Sequence, residues 1–177
     1  VWFFYPRLST GATEPDAYVK LNTLTGEWDN GADDLINRSA GIDTSLLGKP
    51  IAASPTGLIY QHETGYDAAG VPFNPYIETG WFTLSEGHDV MFSDWVLFDM
   101  RFVPYSSTAQ SAQVQITFFT AMYPNDAVRT FGPYTFTSST LYRNIRIRGR
   151  LVKMRIESSD AGSFWRLGAL KLRVGPS

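Results

Sequence analysis

Arg143-Asn144-Ile145-Arg146-Ile147-Arg148-Gly149-Arg150-Leu151-Val152-Lys153-Met154-Arg155-Ile156 alternates apolar and charged residues, then changes step. Ile145 and Ile147 are apolar at odd positions, with Arg146, Arg148 and Arg150 at even ones. Beyond Gly149 the apolar set is even: Val152, Met154 and Ile156. A period of two is the side-chain period of a strand, with one face on a core and the other in water. Alternation cannot change phase within an uninterrupted strand. The break predicts a β-bulge at Gly149-Arg150 with glycine at positive φ, or a tight hairpin. The missing Asn-Gly or Asp-Gly pair favours the bulge.

The same period extends outward. In 95–103 Val96, Phe98, Met100 and Phe102 oppose Asp99 and Arg101. In 113–122 Val114, Ile116, Phe118 and Met122 oppose Gln113, Gln115 and Thr117, and near the end Leu170, Leu172 and Val174 alternate with Lys171 and Arg173. Regularly spaced strands with turn signals between them predict an antiparallel β-sandwich over residues 75–177, with Trp165 and Leu167 facing its core.

Residues 1–74 read as shorter pieces. Residues 1–5 and 17–21 are strands, Glu27-Trp28 starts another, and Asp29 to Asp34 reads as an acidic loop. Residues 50–54 and 58–62 flank Pro55-Thr56-Gly57 as a hairpin. Residues 35–49 carry no clear signal. Strand-turn-strand units at this interval resemble propeller blades, and two partial units cannot close a propeller. The fold class read from the sequence is therefore all-β: propeller-blade-like segments in 1–74, then a β-sandwich in 75–177. The abrupt opening Val1-Trp2-Phe3-Phe4-Tyr5, without a secretory pattern, suggests a processed product or a piece of a longer chain.

Composition narrows the chemistry. The 177 residues include no cysteine, which removes disulfides, thiol catalysis, cysteine-zinc sites and iron-sulfur clusters. His62 and His88 are the two histidines, too few for a three-histidine metal site. No apolar run approaches the roughly 20 residues of a membrane-spanning helix. Aromatics at 15%, with 15 Gly and 10 Pro, suit short strands and tight turns.

The motifs that could carry catalysis each lack a partner. His62-Glu63 would need a second histidine at position 66 to bind zinc, and that position is Tyr66. The pair reads instead as a strand end capping a turn at Gly65. His88-Asp89 has no accompanying Gly-x-Ser-x-Gly and reads as a polar turn. Asp29, Asp33 and Asp34 lack the glutamate that an EF-hand needs at its twelfth position, which is Ala40. Glu78 and Glu86 are a candidate glycosidase pair whose separation sequence cannot supply. Asn37-Arg38-Ser39 matches the glycosylation pattern by chance. No enzymatic activity, metal or cofactor is expected.

Charge is unevenly distributed. Residues 1–90 hold 4 Lys/Arg against 12 Asp/Glu, a net −8, whereas residues 91–177 hold 11 against 5, a net +6. Arg146, Arg148 and Arg150 would lie about 7 Å apart along one strand face. With Lys153 they are candidates for contact with a phosphate backbone or a neighbouring subunit. The bland alternative is a solvated face. Phe164 and Trp165 could stack on bases, but read better as core.

The runs "VWFFYP", "AYVKLNTLTGEW" and "KPIAASPTGLIYQHETGYDAAGVPFNPYIETGWFTL", with the closing "IRIRGRLVKMRIES…FWRLGALKLRV", resemble the tail nozzle proteins of short-tailed bacteriophages. These are also called tail-hub or packaged-DNA stabilisation proteins. The resemblance covers most of the chain in the same order and corresponds to the C-terminal portion of the family. It implies a non-enzymatic virion protein of the tail, assembled as a ring, commonly a hexamer, below the portal and adaptor. Tail-needle or fibre proteins would be further neighbours. Such a ring extends the channel for packaged DNA and retains the genome until ejection. The alternative is a carbohydrate-binding sandwich module, which would need two or more coplanar exposed rings.

Overall fold

The computed structural model describes all residues except 33–37, 44, 45, 47, 84, 85, 105–112 and 177. No α-helix occurs among the described residues. None of their helical segments is long and apolar enough to cross a membrane. The chain divides into two compact units, Val1–Ala68 and Ala69–Ser177.

The first unit contains β1 (Trp2–Tyr5), β2 (Ala17–Leu21), β3 (Trp28–Ala32), β4 (Ala40–Ile42), β5 (Ile51–Ala53), β6 (Ile59–Gln61) and β7 (Asp67–Ala68). Two three-stranded antiparallel sheets form, ordered β1-β2-β3 and β4-β5-β6. The expected hairpin around Pro55-Thr56-Gly57 is β5-β6, and Gly57 takes the positive φ that its turn requires. The expected acidic loop is corrected at its start. Asp29 to Ala32 continue β3, with Asp29 opposite Lys20 across the ladder. Asp33 and Asp34 lie outside the described residues.

The described residues of this unit bury little. Asp16, Ala17, Ala52 and Ser54 are the buried ones, and no large apolar side chain is among them. Trp2, Phe3, Phe4 and Tyr5 of the edge strand β1 are 40%, 53%, 50% and 42% exposed.

The second unit contains β8 (Val71–Pro72), β9 (Tyr76–Glu78), β10 (Met91–Pro104), β11 (Val114–Ala121), β12 (Arg129–Phe136), β13 (Tyr142–Gly149), β14 (Leu151–Glu157) and β15 (Ser163–Pro176). One antiparallel sheet is ordered β13-β10-β15 and the other β12-β11-β14-β9. Both supply one buried cluster. Val96, Phe98, Ile145 and Ile147 come from the first sheet, and Val114, Ile116, Phe118, Phe136, Val152, Met154 and Ile156 from the second. All but Phe136 of β12, which the alternation did not single out, are inward positions of the period-two pattern. Met122 departs from it, lying past the end of β11 and exposed.

The phase break at Gly149 has a different cause from either one expected. It is neither a bulge nor a hairpin, and Gly149 does not have positive φ. The chain leaves one sheet there and enters the other. β13 ends at Gly149, Arg150 alone separates the strands, and β14 begins at Leu151. Ile147 and Val152 reach the same cluster from two sheets, so the apolar phase must shift between them. Glycine is required by space. A Cβ on Gly149 would sit 2.7 Å from Thr120 Cβ and 3.2 Å from the Leu151 carbonyl oxygen.

Register shifts occur elsewhere in the first sheet, between Ser93 and Trp95 and between Phe98 and Met100. The second sets Gly168-Ala169 of β15 against Asp99 alone. It moves the inward set of β15 from Leu170 and Leu172 to Trp165 and Leu167. All four are partly buried against the core, as expected for the last two. Trp165 Nε1 also donates to Ser158 Oγ at 2.8 Å.

Candidate functional site

The four basic residues singled out by their spacing do not form one surface. Arg146 and Arg148 project from β13 between buried Ile145, Ile147 and Gly149, and both are exposed. Neither has an ion-pair partner among the described residues. Arg150 sits at the crossing between sheets. Its guanidinium donates to the Gly87 carbonyl from Nε at 2.8 Å and from a terminal nitrogen, and it lies 5.0 Å from the Tyr123 ring. Arg150 therefore fastens a turn. Its expected place on the face of Arg146 and Arg148 is corrected, because the strand ends before it.

Lys153 belongs to the other sheet. Its Nζ donates to Glu78 Oε1 at 3.0 Å, and it stands 4.9 Å from the Phe119 ring and 5.5 Å from Trp81. Arg155, two residues on, pairs with Glu157 at 2.9 Å and Glu78 at 3.8 Å, with Tyr76 at 4.2 Å. This face of β14 is neutralised locally. Glu78, a candidate catalytic carboxylate, is thus a partner of two cations.

The outward face of β13-β10-β15 gathers cations that sequence separation hides. Arg101 of β10 lies directly opposite Arg166 of β15. Lys171 lies opposite Leu97, Arg173 opposite Trp95, and Arg148 opposite Phe92. All five basic side chains are exposed. Arg173 forms a bidentate pair with Asp94, at 2.7 and 2.6 Å. The Arg173 hydrogen bonds, with its charge, hold the Asp94 carboxyl below its usual range and raise the guanidinium's pKa. Phe92 and Tyr142 are exposed on the same face, and Trp95 stands 6.0 Å from Tyr142. Spacing alone singled out Arg146 and Arg148. Arg101, Arg166 and Lys171 join them through strand pairing.

The other motifs resolve into local structure. Arg38 Nε donates to His62 Nε2 at 2.8 Å, the His62 N–H donates to the Pro50 carbonyl just past the β5-β6 ladder, and Lys49 Nζ donates to the Glu63 carbonyl. Asp16 is held by Arg7 and Thr10, whose hydroxyl donates at 2.6 Å. The Thr10 hydrogen bond, followed by those from Arg7, lowers the Asp16 carboxyl from its ordinary value. No group of three or more His, Asp or Glu suited to a metal ion occurs among the described residues. Asn37 lies outside them.

A cavity of about 380 Å³ is lined by apolar Phe98, Met100, Phe102 and Phe136 together with polar Asp99 and Lys171, among others. No protein-family profile matches the chain, and no curated protein matches it.

Proposed function

We propose that this chain is a structural, non-enzymatic virion protein, part of the tail nozzle or hub ring of a short-tailed bacteriophage. In this reading the ring, a hexamer, extends the DNA channel below the portal and adaptor. It adjoins tail-needle or fibre proteins, retains the packaged genome and takes part in its ejection. The two sheets of the second unit form a β-sandwich around their shared cluster, and the sheets of the first are propeller-type blades.

The sequence resemblance suggests the family. The observation that carries the reading is the first unit's lack of a core. Small antiparallel sheets need an apolar face packed on something to be stable. Here the described residues bury no large apolar side chain, while four consecutive aromatics on edge strand β1 stay exposed. Exposed apolar area of this kind is a mark of association. A ring subunit, clamped between neighbours, supplies the missing cover.

The carbohydrate-binding alternative has one observation of its own. Trp2 and Phe4, both exposed, lie 5.9 Å apart with planes within 20°. Low-resolution imaging of virions or tails that incorporate the tagged protein separates the readings. A six-fold ring at the tail vertex carrying the tag supports the nozzle. A single tagged copy, or a tag confined to fibres, overturns it.

A further inference from the structure

We propose that the outward face of the β13-β10-β15 sheet binds the phosphate backbone of duplex nucleic acid, through Arg101, Arg146, Arg148, Arg166 and Lys171. The inference deepens the nozzle reading and rests on it only for identifying the duplex as the genome.

Three observations carry it. First, these five cations have no carboxylate partner among the described residues, unlike Arg173, Lys153 and Arg155. Among the described residues this face sets two acids, Asp94 and Asp99, the first already held by Arg173, against six cations, Arg173 included. Second, Arg101 and Arg166 are directly cross-strand. Like charges in that position repel and destabilise a sheet. Arg166 also has its guanidinium 5.6 Å from the Phe164 ring, which does not neutralise it. An anion shared between the two guanidinia removes the conflict. Third, the cations are strung along the sheet. From Arg148, opposite Phe92, to Arg166, opposite Arg101, the face runs roughly 30 Å at strand rise. That is about nine base pairs of duplex at 3.4 Å per strand phosphate. A linear polyanion can engage both ends at once, which a single small anion cannot.

The carboxylates of a second copy are the competing occupant. The unit Val1–Ala68 has 9 Asp/Glu against 4 Lys/Arg. One of those carboxylates, Asp16, is already committed to Arg7 and Thr10. The length and linearity of the cation array favour the duplex.

The test is fluorescence anisotropy of the full chain with a labelled duplex of about 30 base pairs and random sequence, over a salt series. If all five cations reach phosphates, the log–log salt slope is about −4.5, and affinity falls about 500-fold between roughly 50 and 200 mM salt. The pairs Arg146→Ser/Arg148→Ser and Arg101→Ser/Arg166→Ser should each flatten the slope by about 1.8. Lys153→Ser/Arg155→Ser, on the other sheet, should leave it unchanged.

Removing Arg101 and Arg166 should also raise the melting temperature while weakening binding, a combination that loss of folding cannot produce. Absent binding at low salt overturns the proposal, as does equal weakening by the β14 pair. Salt-dependent self-association that these variants abolish, without duplex binding, overturns it in favour of the carboxylate partner. Duplex binding by a protein whose tagged virions show no ring would sink the nozzle reading alone, and a ring without duplex binding this proposal alone.

Discussion

Gly149→Ala separates the sheet-crossing account of the phase break from the positive-φ account. The substituted methyl would stand 2.7 Å from Thr120 Cβ, 3.2 Å from the Leu151 carbonyl oxygen and 3.3 Å from Thr120 Oγ1. Thr120 is itself buried and paired with Val152. The neighbours that must give way are therefore ladder backbone and a Cβ, not a flexible side-chain end. Overpacking of this kind costs roughly 1–3 kcal/mol. Because φ is not positive, alanine also stiffens the unfolded chain, which offsets about 0.4–1 kcal/mol. The net expectation is a loss of about 1–2 kcal/mol, or about 2–8 °C in melting temperature for a chain of this size. Urea unfolding of wild type, Gly149→Ala, Thr120→Gly and the double variant gives a coupling energy. Steric crowding predicts that Thr120→Gly recovers much of the alanine's cost. Gly149→Asn adds a third arm. Asparagine tolerates the left-handed region, so a positive-φ glycine would accept it better than alanine, whereas a crowded one accepts it worse. Asparagine milder than alanine, with no rescue by Thr120→Gly, would refute the crossing account.

Further expectations concern other parts of the fold. Trp165→Ala should cost roughly 2–3 kcal/mol, below the range of a fully buried tryptophan because Trp165 is only partly covered; an unchanged melting temperature contradicts its placement against the core. Gly168→Ala should destabilise the second unit, because its Cβ would meet the Asp99 carboxylate and stand 3.0 Å from the Asp99 carbonyl oxygen; a urea midpoint at or above wild type counts against the bulge there. Asp16 has a lowered folded pKa, so its stabilisation is complete above the unfolded value of about 3.9 and is lost as pH falls through the folded value. The stability advantage of wild type over Asp16→Asn should therefore shrink as pH falls below about 4, and a difference in melting temperature that stays unchanged under acid would contradict the Thr10–Arg7 network.

Alternation made the strands of the second unit legible, because burying one face of a strand places apolar residues at every second position. Val96, Phe98, Val114, Ile116, Phe118, Ile145 and Ile147 could be assigned inward from their spacing. The first unit was harder to read. β3 carries Asp29, Asn30 and Gly31, poor strand formers that read as a loop, and ladder pairing with β2 overrides their preference.

A period-two pattern reports which way a side chain points relative to a core. It does not report which sheet points it there. The sequence by itself therefore determined an all-β chain, the inward residues of its long strands and a change of phase at Gly149. It also determined that no cysteine chemistry occurs and that the net charge is negative in the first half and positive in the second. Only tertiary structure decided that the phase change is a passage between two sheets around one core. It also removed Arg150 and Lys153 from the face of Arg146 and Arg148 and set Arg101 against Arg166 across 65 positions of chain. The reason is that strand pairing is non-local. Neighbours along the chain share a face only until a strand ends, whereas neighbours across a ladder can come from anywhere in it.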